Sequence, residues 1–372
     1  MGIAVRRLRS IVLLSCLALL LAGCKAVVLD PSGDVAIQQR DALLDSVWLM
    51  LLVIVPVMTL TVLFAWHYRK SNTSARYEPE WDHSTQLELV IWGAPLLIII
   101  ALGAITWTGT HLLDPYRPID RIAEDRPLPA DAKSIEIDVV ALDWKWLFIY
   151  PQYGIATLNQ VSAPTDKQIQ FRITSSSVMN AFYIPAMAGM IYAMPGMETQ
   201  LHAAMMQTGT YRGFSANYSG EGFPGMHFPY TSLSAADFDK WVAKVKADGG
   251  ALDRNTYLEL ERPSENLPPR TWATVDATLF RLALNQCVEP GKMCLDDMMA
   301  IDAKGGGGLA GVNNVMPFVY DKYARRGSGP MRAYVAALCQ RSGAPETDAN
   351  VTDLARRISE PVHLASPQAS AE

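Results

Sequence analysis

The sequence predicts a mixed membrane and β protein: a two-helix transmembrane hairpin, then an exported β-sandwich, then a helical or irregular C-terminal extension. Three observations predict it. Two stretches, Val47 to Trp66 and Leu89 to Thr110, run 20 and 22 residues without a charge, long enough for helices to cross a hydrocarbon core about 30 Å thick. Between Ser134 and Tyr230, short alternating runs separated by turn residues read as strands. From Ser234 an amphipathic stretch reaches Lys246, and beyond Gly249 the periodicity weakens. The averages agree with such a mixture: of 372 residues 50% are hydrophobic and 19% charged, with mean hydropathy +0.10. That is too apolar for an ordinary soluble chain and too polar for a multi-pass transporter. A net charge of −5 argues against nucleic-acid binding, which needs clustered cations. Five cysteines are too few for a disulfide-dense scaffold.

Residues 1–23 read as a signal peptide. Arg6, Arg7 and Arg9 precede an uncharged run, Ile11 to Ala22, that is too short to span a bilayer. It ends in Leu21-Ala22-Gly23-Cys24, which resembles the lipobox of bacterial lipoproteins, so Cys24 is the expected lipidation site.

Residues 24–110 then hold the lipidated N-terminus and the hairpin, with spans at about 47–66 and 89–110. Trp48, Trp66, His67, Tyr68, Arg69 and Lys70 flank the first span, and Trp92 and Trp107 sit in the second, as interfacial anchors do. Pro56 and Pro95 are tolerable where neighbouring groups satisfy the freed carbonyls. Loop charges do not orient the hairpin: Arg69, Lys70 and Arg76 on one side balance Arg117, Arg121 and Arg126 on the other. A lipidated Cys24 does, because that modification occurs on the outer face of the bacterial inner membrane. Two spans then return the chain outward, placing residues from about His111 onward in the periplasm.

Residues 111–232 form the predicted sandwich. Ser134 to Val140 and Gln168 to Thr174 alternate, Trp144 to Tyr150 is aromatic, and Gly209 to Phe214 is a shorter strand. Residues 233–342 form the C-terminal extension, opened by Ser234 as a helix cap with Asp237 in the first turn. Residues 343–372 read as a flexible tail.

Particular segments carry more. Asn180-Ala-Phe-Tyr-Ile-Pro185, Ala193-Met-Pro-Gly196, Asp143-Trp-Lys-Trp146 and Leu87-Glu-Leu-Val-Ile-Trp92 with Pro95 occur in an order and spacing that resemble subunit II of haem–copper respiratory oxidases. The resemblance covers roughly residues 43–246 and implies a cupredoxin-like sandwich. Cytochrome c oxidases of that family hold a binuclear copper centre with an upstream His followed by C-x-E-x-C-x-x-x-H-x-x-M. Here the corresponding positions are Asn180, Ser215, Asn217, Ser219, Phe223 and Met226, and only the Met remains. No cysteine lies between Cys24 and Cys287, so neither this centre nor a blue-copper site has its thiolate.

Loss of the site resembles the quinol-oxidase branch, cytochrome bo-type, in which a lipobox is common. The resemblance implies a complex that oxidises ubiquinol, reduces O₂ to water and pumps protons. Haems and catalytic copper would lie in subunit I. This chain would carry no cofactor or catalytic residue of its own and would assemble with subunit I and other small membrane subunits in the bilayer, without cytochrome c. The family also links an acid near Glu88 to proton entry, although a carboxylate there equally suits a helix N-terminus. Trp144 and Trp146 form an aromatic patch, readable as a relic of electron entry or, more simply, as same-face core residues on a strand. Cys287 and Cys294 are candidates for a disulfide in an oxidising compartment, with Cys339 left over.

A different class of function is also open. Met179, Met187, Met190, Met194, Met197, Met205, Met206 and Met226, with His202 and His227, offer thioether and imidazole donors for a membrane-tethered copper-binding or copper-delivery lipoprotein. Adaptable packing is the plainer use of so many methionines. A scaffold without any oxidase is a third possibility.

Overall fold

The computed structural model describes residues 26–76, 78–129 and 132–302. The signal, Cys24, Cys339 and the tail therefore lie outside the described residues.

Helix α1 runs Asp34–His67 and α2 runs Thr85–Leu112. Both contain the apolar stretches, whose large side chains remain exposed, including Trp48, Leu52, Val62, Trp92 and Leu97. Such faces are stable against lipid or partner helices rather than water. Ser84 caps α2 by accepting from the Leu87 amide. The first helix begins well before the predicted span at Val47. Its outer end carries Asp34, Gln38, Arg40, Asp41 and Asp45, so an apolar-run criterion overlooks it although the hydrogen-bond ladder continues.

That extension carries the chain to the sandwich, where a short strap ties it down. The Ser32 and Gly33 amides donate to Ala186 O at 2.9 and 2.8 Å, and the Met206 amide donates to Ser32 O at 3.0 Å. A Cβ on Gly33 would lie 2.4 Å from Met187 O, so only glycine fits.

After α2 come β1 (Arg121–Ala123) and β2 (Arg126–Pro127), then β3 (Ile135–Leu142), β4 (Lys145–Tyr150), β5 (Ile155–Leu158), β6 (Val161–Pro164) and β7 (Ile169–Ser175). There follow β8 (Asn180–Tyr183), β9 (Ile191–Ala193), β10 (Thr199–Ala203), β11 (Gly209–Ser215) and β12 (His227–Leu233). The extension contributes α3 (Ala235–Ala247), β13 (Ala251–Leu252), α4 (Arg254–Glu261), β14 (Arg270–Trp272), β15 (Thr274–Val275), α5 (Leu279–Leu284) and α6 (Leu295–Asp302). One sheet has the order β10-β7-β3-β4-β5-β14, and the facing sheet β6-β12-β11-β8-β9.

Alternation along the strands builds two cores. Ile137, Val139, Trp146, Phe148 and Tyr150 face the second sheet with Phe171, Phe182, Phe228 and Tyr230. Trp146, Phe182 and Phe228 have ring centroids 5.4 to 5.7 Å apart, contacts that each stabilise by about 0.5–1.5 kcal/mol beyond area burial. On the opposite face Val140, Leu142, Leu147 and Ile149 meet Tyr257, Leu260, Trp272, Leu279 and Phe280 of the extension. The extension is thus a third layer, and its β14 pairs with β5 to complete the first sheet. The cap foreseen at Ser234 is present, with Ser234 Oγ accepting from the Asp237 amide at 3.1 Å.

Candidate functional site

The loops at one end of the sandwich bring to one place the six residues that the resemblance sets at copper-ligand positions. Asn180 opens β8, Ser215 closes β11, and Asn217, Ser219, Phe223 and Met226 lie in the connection to β12. Register explains the convergence: β11 pairs with β8 through Ser215 opposite Phe182, and with β12 through Phe214 opposite His227.

Polar atoms here satisfy one another. Ser215 Oγ donates to Asn180 Oδ1 at 3.2 Å and accepts from the Ala181 amide at 3.4 Å. Asn180 Nδ2 donates to Val178 O at 3.1 Å, and Asn217 Nδ2 to Met179 O at 3.0 Å. Met226 is buried, its sulfur 3.9 Å from Ser219 Oγ, and Phe223 turns its ring edge-on to Tyr218. The donor set is therefore two hydroxyls, two amides and one thioether, without thiolate or imidazole. Such a set does not fit a binuclear copper centre, because serine hydroxyls do not ionise near neutral pH and bind soft metals poorly.

The two tryptophans have separate roles, which corrects their placement on one strand face. Asp143 and Trp144 form a two-residue connection between β3 and β4, with Trp144 at φ 63°. Its indole N–H donates to Ser219 O at 3.0 Å, and its ring lies against Gly220 and Gly222, where an added Cβ would approach to 3.1 and 2.5 Å. Trp144 thus clamps the Ser219–Gly222 loop, whereas Trp146 is wholly buried in the core.

Two charged residues, one buried and one half-buried, escape sequence reading. Lys145 is fully buried on β4, and its Nζ donates to Asp143 O, Arg262 O and Ser264 Oγ at 2.8 to 2.9 Å, stapling the hairpin to the extension. Arg172, on β7, reaches three carboxylates: Glu136 at 2.5 Å, Glu198 at 2.9 Å and Asp138 at 3.4 Å. Its guanidinium also stacks 4.8 Å from the Phe280 ring centroid. Burial pushes the Asp138 carboxyl up to about 7; Arg172 opposes the rise, and the Glu136 and Glu198 charges add to it. Placing such a group from sequence requires knowing that the sheet's outer face is covered.

Glu88 lies in the first turn of α2, its Oε1 2.8 Å from His83 Nδ1, both exposed. The methionines divide between core and surface: Met187, Met205 and Met226 are buried, whereas Met179, Met190 and Met197 are exposed. His202 lies on β10 and His227 on β12, in different sheets. Cys287 and Cys294 form a disulfide. Cys294 also sits with Asp296 and Asp297, but its sulfur is already bonded.

Residues 130–228 match the family model described as cytochrome c oxidase subunit II, periplasmic domain. Residues 246–291 match the model of the COX aromatic rich motif, so the extension has a family origin that its sequence alone did not disclose. The signal was Tyr257, Trp272 and Phe280, aromatics too widely spaced to show one periodicity. The cytochrome bo(3) ubiquinol oxidase subunit 2 of Pseudomonas putida is 50% identical over 268 residues, covering 72% of this chain and 82% of its own. The subunit of the same name from Pseudomonas aeruginosa is 48% identical, covering 71% and 77%. Ubiquinol oxidase subunit 2 of Acetobacter aceti is 50% identical, covering 71% and 83%. With two apolar helices, a sandwich of this family and relatives matched over most of their length, the chain belongs to the ubiquinol oxidase subunit 2 family.

Proposed function

We propose that this chain is the non-redox subunit II of a proton-pumping terminal oxidase that oxidises ubiquinol and reduces O₂ to water. The observation that carries it is the former copper site, where hydroxyls and amides bond to one another in place of thiolates and imidazoles. An electron carrier needs a metal or other redox group at that point of entry, and this donor set fits none of the copper centres the fold supports elsewhere. The haems and catalytic copper then belong to subunit I, with which this chain and other small membrane subunits assemble. Electrons come from membrane-dissolved quinol, and cytochrome c has no docking role. Cys24 carries the lipid anchor, and the α1–α2 hairpin holds the sandwich on the periplasmic side. Glu88 with His83 marks the inner mouth of α2, where an ionisable pair can pass protons toward subunit I.

The experiment is purification of the complex in mild detergent, followed by metal analysis and oxygen uptake. Ubiquinol-dependent O₂ uptake is expected, with no uptake from reduced cytochrome c and no copper beyond that of the haem-bearing subunit. Stoichiometric copper on this chain, or turnover with cytochrome c, would overturn the proposal. The Met/His copper-carrier alternative draws no support from methionines divided between core and surface.

A further inference from the structure

Where the hairpin meets the sandwich there is a cavity of about 580 Å³. Its walls come from the outer end of α1, the outer end of α2, the linker through residues 113–127 and the edge strand β10. Because α1 begins and α2 ends on the exported side, the cavity lies at the level of the outer-leaflet headgroups. Val35, Leu112, Leu113 and Ile119 give it an apolar wall continuous with the lipid-facing helices.

Its polar groups divide by charge. His202 is only 6% exposed, and its Nδ1 accepts from Gln168 Nε2 at 2.9 Å. With Nδ1 accepting, the ring carries its hydrogen on Nε2, and burial, which lowers the ring's affinity for a proton, favours that form. That N–H has no partner among the described residues, and His202 lines the cavity. Arg121 donates through Nε to Asp34 at 2.9 Å, leaving both Nη groups, and Arg117, which donates through one Nη to the lining Asp120 at 3.0 Å, keeps its other donors for a second guanidinium contact. Asp114, Glu124 and Asp125 also line the cavity, and none of them forms an ion pair. One site therefore offers N–H donors for an anion and carboxylates for a cation, beside an apolar wall.

We propose that this cavity binds the headgroup of a phospholipid carrying a primary ammonium, of the phosphatidylethanolamine type. The phosphodiester meets His202 Nε2–H and the guanidiniums of Arg117 and Arg121. The ammonium meets Glu124, Asp125 and Asp114, and the acyl chains descend along the helices. An anionic headgroup without an ammonium would leave the surplus carboxylates facing negative charge. A choline headgroup has no N–H to donate to them. Bound there, the lipid would fasten the strap, the linker and β10 at the membrane surface.

The test uses the intact oxidase complex in nanodiscs of equimolar phosphatidylethanolamine and phosphatidylglycerol, and in matched discs with phosphatidylcholine as the zwitterion. After detergent extraction, native mass spectrometry counts retained lipid. Stoichiometric retention of phosphatidylethanolamine over the other two is expected. The double variant Glu124→Gln, Asp125→Asn, in an exposed turn, should lower it by about ten-fold with haem content unchanged, as loss of charge-assisted bonds implies. Equal retention of all three lipids, undiminished retention by the variant, or cross-linking from residue 124 to another protein subunit instead of lipid would each overturn the proposal.

Discussion

Substituting Asp138→Asn tests the buried member of the half-buried charge cluster around Arg172. Asp138 is 3% exposed, one carboxylate oxygen is 3.4 Å from the Arg172 guanidinium and makes no hydrogen bond, and its pKa is raised from 3.8 to about 7. A carboxyl whose folded value exceeds its unfolded value holds its proton more tightly when folded. Its contribution to stability is complete below the unfolded value and is lost as pH rises through the folded one. Between about pH 4 and pH 7 the loss approaches roughly 4 kcal/mol, at about 1.4 kcal/mol per unit. Asparagine keeps the shape and an acceptor for Arg172 but does not titrate. The assay is denaturant unfolding of the full chain in detergent from pH 4 to pH 8, followed by tryptophan fluorescence, with amide exchange in β3 and β7 as a second readout. The variant should gain on the wild type steadily as pH rises. A stability difference that stays constant across that interval, or that moves in favour of the wild type, would refute the reasoning.

Other consequences are as direct. Restoring the donor set by Asn180→His, Ser215→Cys, Ser219→Cys and Phe223→His beside Met226 should let the sandwich bind copper with intense thiolate absorption, checked by metal titration against the wild type, which should bind none. Lys145→Met should destabilise by about 1–3 kcal/mol, because Asp143 O, Arg262 O and Ser264 Oγ lose their shared donor; denaturant midpoints with unchanged slopes would confirm it. Cys287→Ser opens a loop of sequence separation 7, a loss of about 2.5 kcal/mol on chain-entropy grounds, visible as an equal melting shift when the parent is reduced.

Much of the site was legible because its evidence is chemical identity. Asn180, Ser215, Ser219 and Phe223 cannot supply thiolate or imidazole wherever they sit, so this chemistry is readable before the fold is known. Trp144 shows the opposite case: an aromatic before an alternating run reads as strand, yet the hairpin closes at Asp143 and Trp144, and the indole turns toward Gly220 and Gly222. Only the distant loop reveals that role.

By itself the sequence determined the two spans, the main strands, the cap at Ser234 and the missing donors, since hydropathy, alternation and residue chemistry are local properties. Tertiary structure alone decided that α1 continues to the strap, that the extension covers the sheet, that Lys145 and Asp138 are buried, and that His202 faces a cavity. Those outcomes depend on which segments meet across more than a hundred residues of chain, as Lys145 meets Arg262 and Ser264. Burial, and with it the energy of a charge, exists only once that meeting has excluded water.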